Sequence, residues 1–266
     1  MQLMQRTGVF LAVVFIIIAI IGIWLSPDSI ITPEIHQRFQ PPSANFWLGT
    51  DQYGRDIFGM LVLGAGNSLL ISVCAVLGGG FVGSILAVLI WMLGIKTLHK
   101  ILNFISHGLM AFPALLVALV LSAYYQPGFI TVVTAIAFYN IPVFAKITLA
   151  ILGQLQRNDY AKAAMALGQG KGGILMKHHL KPLFAILIIQ FAVQVSFAIL
   201  AEAGLSYLGF GINYPYVSWG KMLFDSQTFI YDNPWLVIWP GICISMAILA
   251  FQLSAEWLRK KLDIRD

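Results

Sequence analysis

Charge is what this chain has least of: Asp, Glu, Lys and Arg make up 10% of its 266 residues, against 59% hydrophobic. So little charge excludes an ordinary soluble domain, where charged residues are about a quarter of the composition. Cysteine is nearly as scarce. Cys74 and Cys243 both fall in long apolar runs, so no structural disulfide is expected, and they do not report a redox compartment. A nucleotide-binding loop is missing too. GGGFVG at 78–83 has no Lys-Ser or Lys-Thr after it, and Gly170-Lys171 lacks both the upstream glycine and a following hydroxyl residue. The chain shows no ATP site of its own. It offers no nucleophile–base pair and no metal constellation, so no catalytic residue and no metal ligand is named. The adjacent His178 and His179 would project about 100° apart on a helix and could not share a metal. There is no internal repeat and no low-complexity tract.

Long apolar runs are what is there. Six stretches can span a hydrocarbon core, near 7–25, 67–93, 101–125, 129–151, 183–203 and 234–257. The expected fold is an all-α membrane protein of six transmembrane helices. Residues 1–60 would hold the first span and an extracytoplasmic loop. Residues 61–266 would form the transmembrane domain, with a cytoplasmic loop at 152–182. The first run is too long for a signal-peptide core, and WLSPDS after it offers no cleavage site, so it reads as a retained span.

The net charge of +5 raises the possibility of nucleic acid, but its distribution points to a membrane. With the N-terminus in the cytoplasm and six spans threaded, 13 of the 16 Lys and Arg residues fall inside, leaving Arg38, Arg55 and Lys221 outside. That bias puts both termini in the cytoplasm. A nucleic-acid partner is excluded, because the basic residues bracket hydrophobic spans and no soluble module carries them.

Prolines 27, 33, 41 and 42 make the loop at 26–56 extended rather than helical. Thr50 or Asp51 would cap a short helix leading into span two, with Asp51 and Arg55 paired on one face. The glycines of GGGFVG read as a helix-packing face. Span three carries His107 and Pro113; span four carries Asn140, Pro142 and Lys146. Prolines there permit kinks where neighbours satisfy the freed carbonyl. His107 and Asn140 are candidates for lining a path, since intramembrane polar residues are functional candidates by default. An interhelical hydrogen bond is the alternative for His107, and Lys146 is expected to snorkel to the headgroups.

The most informative segment is polar and basic: RNDYAKAAMALGQGKGGILMKHHLKP, from Arg157 to Pro182. Asn158 and Asp159 suit a helix N-terminus, 160–167 is rich in strong helix formers, and Gly168 suits a stop. A second short helix is expected over 174–180. The first helix has a small face of Ala161, Ala164 and Gly168 beside a larger strip of Tyr160, Ala163 and Leu167. That small face suits a groove on another protein; a helix lying in the lipid interface is the alternative.

Four segments together resemble the second permease subunit of the peptide/nickel family of ABC importers. They are LGTDQYGRDIF before span two, AFPALLVAL in span three, DYAKAAMALG in the loop, and EAGLSYLGFGINYPYVSWGKML after span five. Order and spacing agree from about Trp47 onward. Lys162 stands where the loop pattern has an acidic residue, and the proline falls at 182 rather than directly after Leu180.

The resemblance implies a type I ABC importer permease fold in a bacterial inner membrane. It implies a homologous second permease as heterodimer partner, two cytoplasmic ATPases and an extracytoplasmic solute-binding protein. ATP and magnesium would sit on the ATPases, with no cofactor on this chain. Asp159, Tyr160, Ala163, Ala164, Leu167 and Gly168 would form the ATPase-coupling loop. Gly49, Asp51, Gly54, Arg55, Asp56, Glu202, Gly209, Trp219 and Gly220 belong to the family's outer motifs. Trp219 and Tyr216 would lie at the outer mouth, meeting substrate or packing among headgroups. The competing class, a secondary transporter or channel, needs coupling-ion residues at mid-membrane, and Glu202 is the only acidic residue in or beside a span before Glu256. Peptide, nickel and metal-chelate substrates all remain open.

Overall fold

The computed structural model describes residues 2–25, 28–111 and 114–262, and among them the regular elements are all helical, with one isolated β-bridge. The chain runs through α1 (Gln2–Trp24), α2 (Asp28–Ile31), α3 (Ile57–Leu93), α4 (Lys96–Ala111) and α5 (Ala114–Tyr124). It continues through α6 (Phe129–Leu155), α7 (Asp159–Ala166), α8 (Lys171–Ile174), α9 (Leu180–Tyr207), α10 (Trp219–Ser226) and α11 (Trp235–Lys261).

Five helical rods are long and apolar enough to cross a membrane: Arg6–Trp24, Ile57–Leu93, Phe129–Leu155, Lys171–Tyr207 and Trp235–Lys261. The stretch at 101–125 is instead divided between α4, with 16 residues, and α5, with 11. Those lengths give about 24 Å and 17 Å, each short of a hydrocarbon core of roughly 30 Å. Pro113, where the sequence allows a kink, lies outside the described residues, as do Pro27 and Arg265.

The most extensive packing in the bundle is α3 on α6; α1 rests on α3 and α11, and α9 on α11 and α3. Glycine is the reason α3 and α6 approach so closely. A Cβ at Gly79 would strike the Ala137 carbonyl and one at Gly83 the Ile141 carbonyl, while Gly80 faces the Phe144 ring. GGGFVG is thus a packing face, except Gly78, which meets nothing.

Helix α3 begins ten residues before the expected start of span two, at Ile57. Its cap is Asp56, whose carboxylate accepts the Phe58 and Gly59 N–H groups, not Thr50 or Asp51. No helix contains Asp51 and Arg55. They sit in a tight loop closed by the Thr50–Asp56 bridge, because Gly49 and Gly54 take positive φ angles of 80° and 81° that end regular winding. The preceding loop is irregular at Pro33, Pro41 and Pro42 as expected, apart from α2 and a 3₁₀ turn at Ile35–Gln37.

The expected second helix of the polar loop is not separate. Lys171–Ile174, a π turn at Leu175–His179 and α9 form one continuous rod. Pro182 has no N–H for the carbonyl a turn earlier, and the wider i→i+5 winding falls at that turn.

Candidate functional site

Two ends of the bundle and its middle carry the polar chemistry. At the α10 end, Glu202 is fully buried between α9 and α3. Ser68 Oγ donates to its Oε2 at 3.0 Å, and Ser206 Oγ to its Oε1 at 2.6 Å. Ser68 Oγ also accepts the Trp219 backbone N–H at 3.1 Å. Ser218, the N-cap of α10, accepts the Lys221 N–H and donates to Ser206 Oγ at 3.4 Å. Each hydroxyl both donates and accepts, so the carboxylate is enclosed by donors supplied by this chain. Trp219 is buried as well, its indole N–H donating to the Leu61 carbonyl at 3.0 Å and its ring edge-on to Phe15 at 5.9 Å. Its ring is thus packed inside this chain rather than presented at the surface. Tyr207, Tyr214 and Tyr216 are the exposed aromatics of that segment. A Cβ at Gly220 would come within 2.6 Å of Ser206 Cβ, which is why glycine follows the tryptophan. Gly209 takes a φ of 87° where α9 ends.

The Asp51 loop locks onto the same end. Asp51 Oδ1 accepts the Tyr53 and Arg55 backbone N–H groups at 2.8 and 2.9 Å, and its Oδ2 accepts Arg55 Nε at 2.7 Å. Arg55 Nη2 is 2.6 Å from Asp51 and 3.9 Å from Asp225 of α10, which also pairs with Lys221 at 2.6 Å. Gln52 donates to the Asp225 carbonyl at 3.0 Å. Asp51 and Arg55 pair as the sequence predicts, but as a clamp between loop and α10 rather than along a helix face.

At the opposite end, α7 runs from the N-cap Asn158 to Ala166, and Gly168 stops it at a φ of 81°. The Gly168 and Gln169 N–H groups return to the Met165 and Ala164 carbonyls. Asp159 lies in the first turn and pairs with Lys162 at 3.1 Å on the surface. Ala161 and Ala164 are buried within this chain, where α7 packs on α8. The two alanines of the small face are therefore already covered, while Gly168 is exposed with nothing within 4 Å, and the surface left for a partner is Gly168 and the larger strip. Tyr160, Ala163 and Met165 are exposed there, and Leu167 is 88% exposed.

Sequence reasoning missed what holds this loop. Lys171 Nζ donates to the last carbonyls of α3, Trp91 O at 3.0 Å and Met92 O at 3.3 Å. Trp91 Nε1 donates to Gln156 Oε1 at 3.0 Å, just past α6. His179, fully buried, lies against Trp91 and Tyr160 at ring distances of 5.6 and 6.1 Å. Loop, α3 and α6 meet at one indole. Trp91 beside the helix-ending Gly94 was the available signal; nothing marked Gln156.

In the middle, Asn140 is 2% exposed and its Nδ2 donates to the Ile136 carbonyl at 2.9 Å. Gln194 of α9 lines the same recess and was also missed, although the rule that selected Asn140 applies to it equally. His107 is exposed and bonded on both sides, its Nδ1 to Asn103 O at 2.6 Å and its Nε2 to Lys146 Nζ at 3.3 Å. Lys146 thus bridges α6 to α4, the interhelical bond expected as the alternative for His107.

A bundle of long apolar helices, with a short exposed helix held at one end and a polar lock at the other, is the build of a multi-pass membrane protein. Residues 79–265 match the family described as binding-protein-dependent transport system inner membrane component. The chain belongs to that family, the permeases of ABC importers. It is 35% identical to the dipeptide transport system permease protein DppC of Alkalihalophilus pseudofirmus, covering 96% of this chain and 84% of that protein. It is 33% identical to a putative peptide transport system permease protein of Brucella suis, over 98% of this chain and 87% of the relative. With the glutathione transport system permease protein GsiD of Pectobacterium atrosepticum it shares 32% identity, over 84% of this chain and 73% of the relative. Transport of this kind depends on a solute-binding protein and an ATPase as partners, and the chain is an inner-membrane protein.

Proposed function

We propose that this chain forms half of the path of an ATP-driven peptide importer. The other half would be a homologous permease, making a heterodimer served by two ATPases and one solute-binding protein. Peptides are favoured over nickel or metal chelates because the related permeases are named for dipeptide, peptide and glutathione transport. Residues 61–266 act as the transmembrane domain and 1–60 as its first span and outer loop. The short helices α4 and α5 together make a sixth crossing between α3 and α6. Both termini and the loop at 152–182 face the cytoplasm, which the 13-to-3 split of basic residues supports.

The observation that carries the coupling role is α7 itself: a helix fixed to this chain by Ala161 and Ala164, presenting Tyr160, Ala163, Leu167 and Gly168 outward. Closure of the ATPases on ATP would push α7, and through Lys171 and Trp91 the ends of α3 and α6, opening the path outward by rigid-body movement. Hydrolysis resets it. ATP and magnesium stay on the ATPases, and this chain hydrolyses nothing.

The test is uptake of labelled di- and tripeptides by proteoliposomes holding the assembled complex. ATP-dependent uptake of peptide, and none of nickel, is expected. Nickel uptake without peptide uptake overturns the substrate assignment, and ATP hydrolysis by the purified chain alone overturns its non-catalytic role. Single cysteines at Gln37 and Gln169 should label from opposite sides; labelling of both from outside overturns the topology.

A further inference from the structure

Asn140 and Gln194 lie near the middle of their helices, α6 and α9, at the depth where transporters hold substrate. They share a half-open recess of about 230 Å³ whose other walls include Tyr139, Phe197, Ala198 and Leu200. Backbone packing fixes the Asn140 side chain, since its Cβ sits 2.7 Å from where a Cβ on Gly79 of α3 would be. One amide hydrogen is spent on the Ile136 carbonyl. Its Oδ1 is buried and accepts no hydrogen bond. An orphaned acceptor at mid-membrane is costly, and lipid tails have no donor to offer it. Across the recess the Gln194 carboxamide, 5% exposed, can both donate and accept.

No carboxylate, ammonium or guanidinium lines this recess. It has no countercharge for a peptide terminus or a metal ion. What it fits is a neutral planar group bearing an N–H and a C=O together, between apolar walls. We propose that the Asn140–Gln194 recess is a substrate subsite that reads the peptide bond. Asn140 Oδ1 accepts the amide N–H of the passing peptide, and Gln194 meets its carbonyl. Both contacts ignore side-chain identity, so the subsite selects for backbone and not for sequence. This rests on the peptide-importer reading above and adds to it the residues that sense the substrate inside the membrane.

The assembled complex in proteoliposomes tests this with alanyl-alanine and its ester counterpart alanyl-lactate, which lacks the N–H. Comparing the ratio of the two uptakes between permease variants cancels the preference of the binding protein. Wild type should favour the amide, and Asn140→Leu should cut alanyl-alanine uptake about tenfold, the cost of one hydrogen bond to a buried group. The same variant should bring the amide-to-ester ratio down by a similar factor. Gln194→Leu should lower uptake of both probes together, since both retain the carbonyl. An unchanged ratio in Asn140→Leu, with the complex assembled, overturns the proposal. Loss of the second permease from either purified variant also overturns it, because the recess is then a subunit contact. Wild-type complex that imports neither probe, nor trialanine, removes the peptide-importer reading and this subsite with it.

Discussion

The two ends of the bundle are built on opposite principles. At the α10 end most polar groups are closed on one another: Glu202 on two serines, Trp219 on Ser68 and Leu61, and Asp51 on Arg55, with Gln52 Oε1 the buried exception that has no hydrogen-bond partner and Arg55 Nη2 held by charge pairing alone. At the α7 end the loop is tethered through Lys171 and Trp91, but its tip keeps Leu167 almost wholly in solvent. A largely satisfied internal network makes a rigid frame, whereas an exposed apolar tip contributes little to a free chain and is available to a partner or to the lipid interface. The contrast predicts that substitutions at the α10 end act on stability and those on the α7 strip act on coupling.

The largest effect is expected at Trp219. Trp219→Ala removes a fully buried indole and leaves the Leu61 carbonyl and the space beside Gly64 unfilled, a loss of about 3–5 kcal/mol. Thermal melting of the purified complex should show a large drop. A normal melting temperature with impaired uptake would break the comparison, because Trp219 would then be serving the substrate.

Arg55→Met comes next. It strands a buried Asp51, which still accepts two backbone N–H groups, so the cost should sit near the low end of about 3–5 kcal/mol for breaking such a pair. The loop at 26–56 should become sensitive to protease before the bundle melts. Equal protease resistance in variant and wild type would show that the clamp is not what holds the loop to α10.

How much of this was legible depended on whether the signal was local. The long rods, the small-residue face at Gly79 and Gly83, and the stop at Gly168 follow from composition and backbone constraint, and the sequence carries those directly. The apolar run marks span two from 67, whereas α3 starts ten residues earlier. In the structure Asn67 reaches the Val217 carbonyl at 2.6 Å, a contact 150 positions away that no window reveals. The sequence divides α7 into two strips, but which residues turn inward depends on where α8 lies: Ala161 and Ala164 do and Gly168 does not. Trp219 was assigned by its amphipathic chemistry to an interface, and long-range donors to Leu61 and Ser68 decided otherwise. Gln194 is open to the same intramembrane-polar rule as Asn140; only its placement in one recess with Asn140 is non-local.

Ala164→Trp is a smaller perturbation and tests which strip faces inward. A bulky ring at a buried position should overpack the contact with α8, costing about 1–3 kcal/mol locally. Amide exchange should rise across α7 while the melting temperature of the bundle barely moves. If α7 exchange is unaltered, the small face is free after all, and the groove of a partner becomes its natural place.

The smallest effect on stability, and the sharpest test of the contrast, is Leu167→Asp. An 88% exposed side chain loses no packing within this chain, so stability should change by less than about 0.5 kcal/mol. If that leucine is instead the apolar anchor of the ATPase contact, a carboxylate there must be buried without a partner. Losses of about 2 kcal/mol or more are usual when a central anchor is removed, which corresponds to roughly thirtyfold weaker docking. Membrane level and melting temperature should match wild type, while co-purification of the ATPases and peptide uptake both fall. Asp159→Asn, on the surface pair with Lys162, should do little to either, since exposed pairs contribute about 0–1 kcal/mol. Full uptake by Leu167→Asp with the ATPases retained would remove the tip from the contact and leave Tyr160 and Ala163 to account for it.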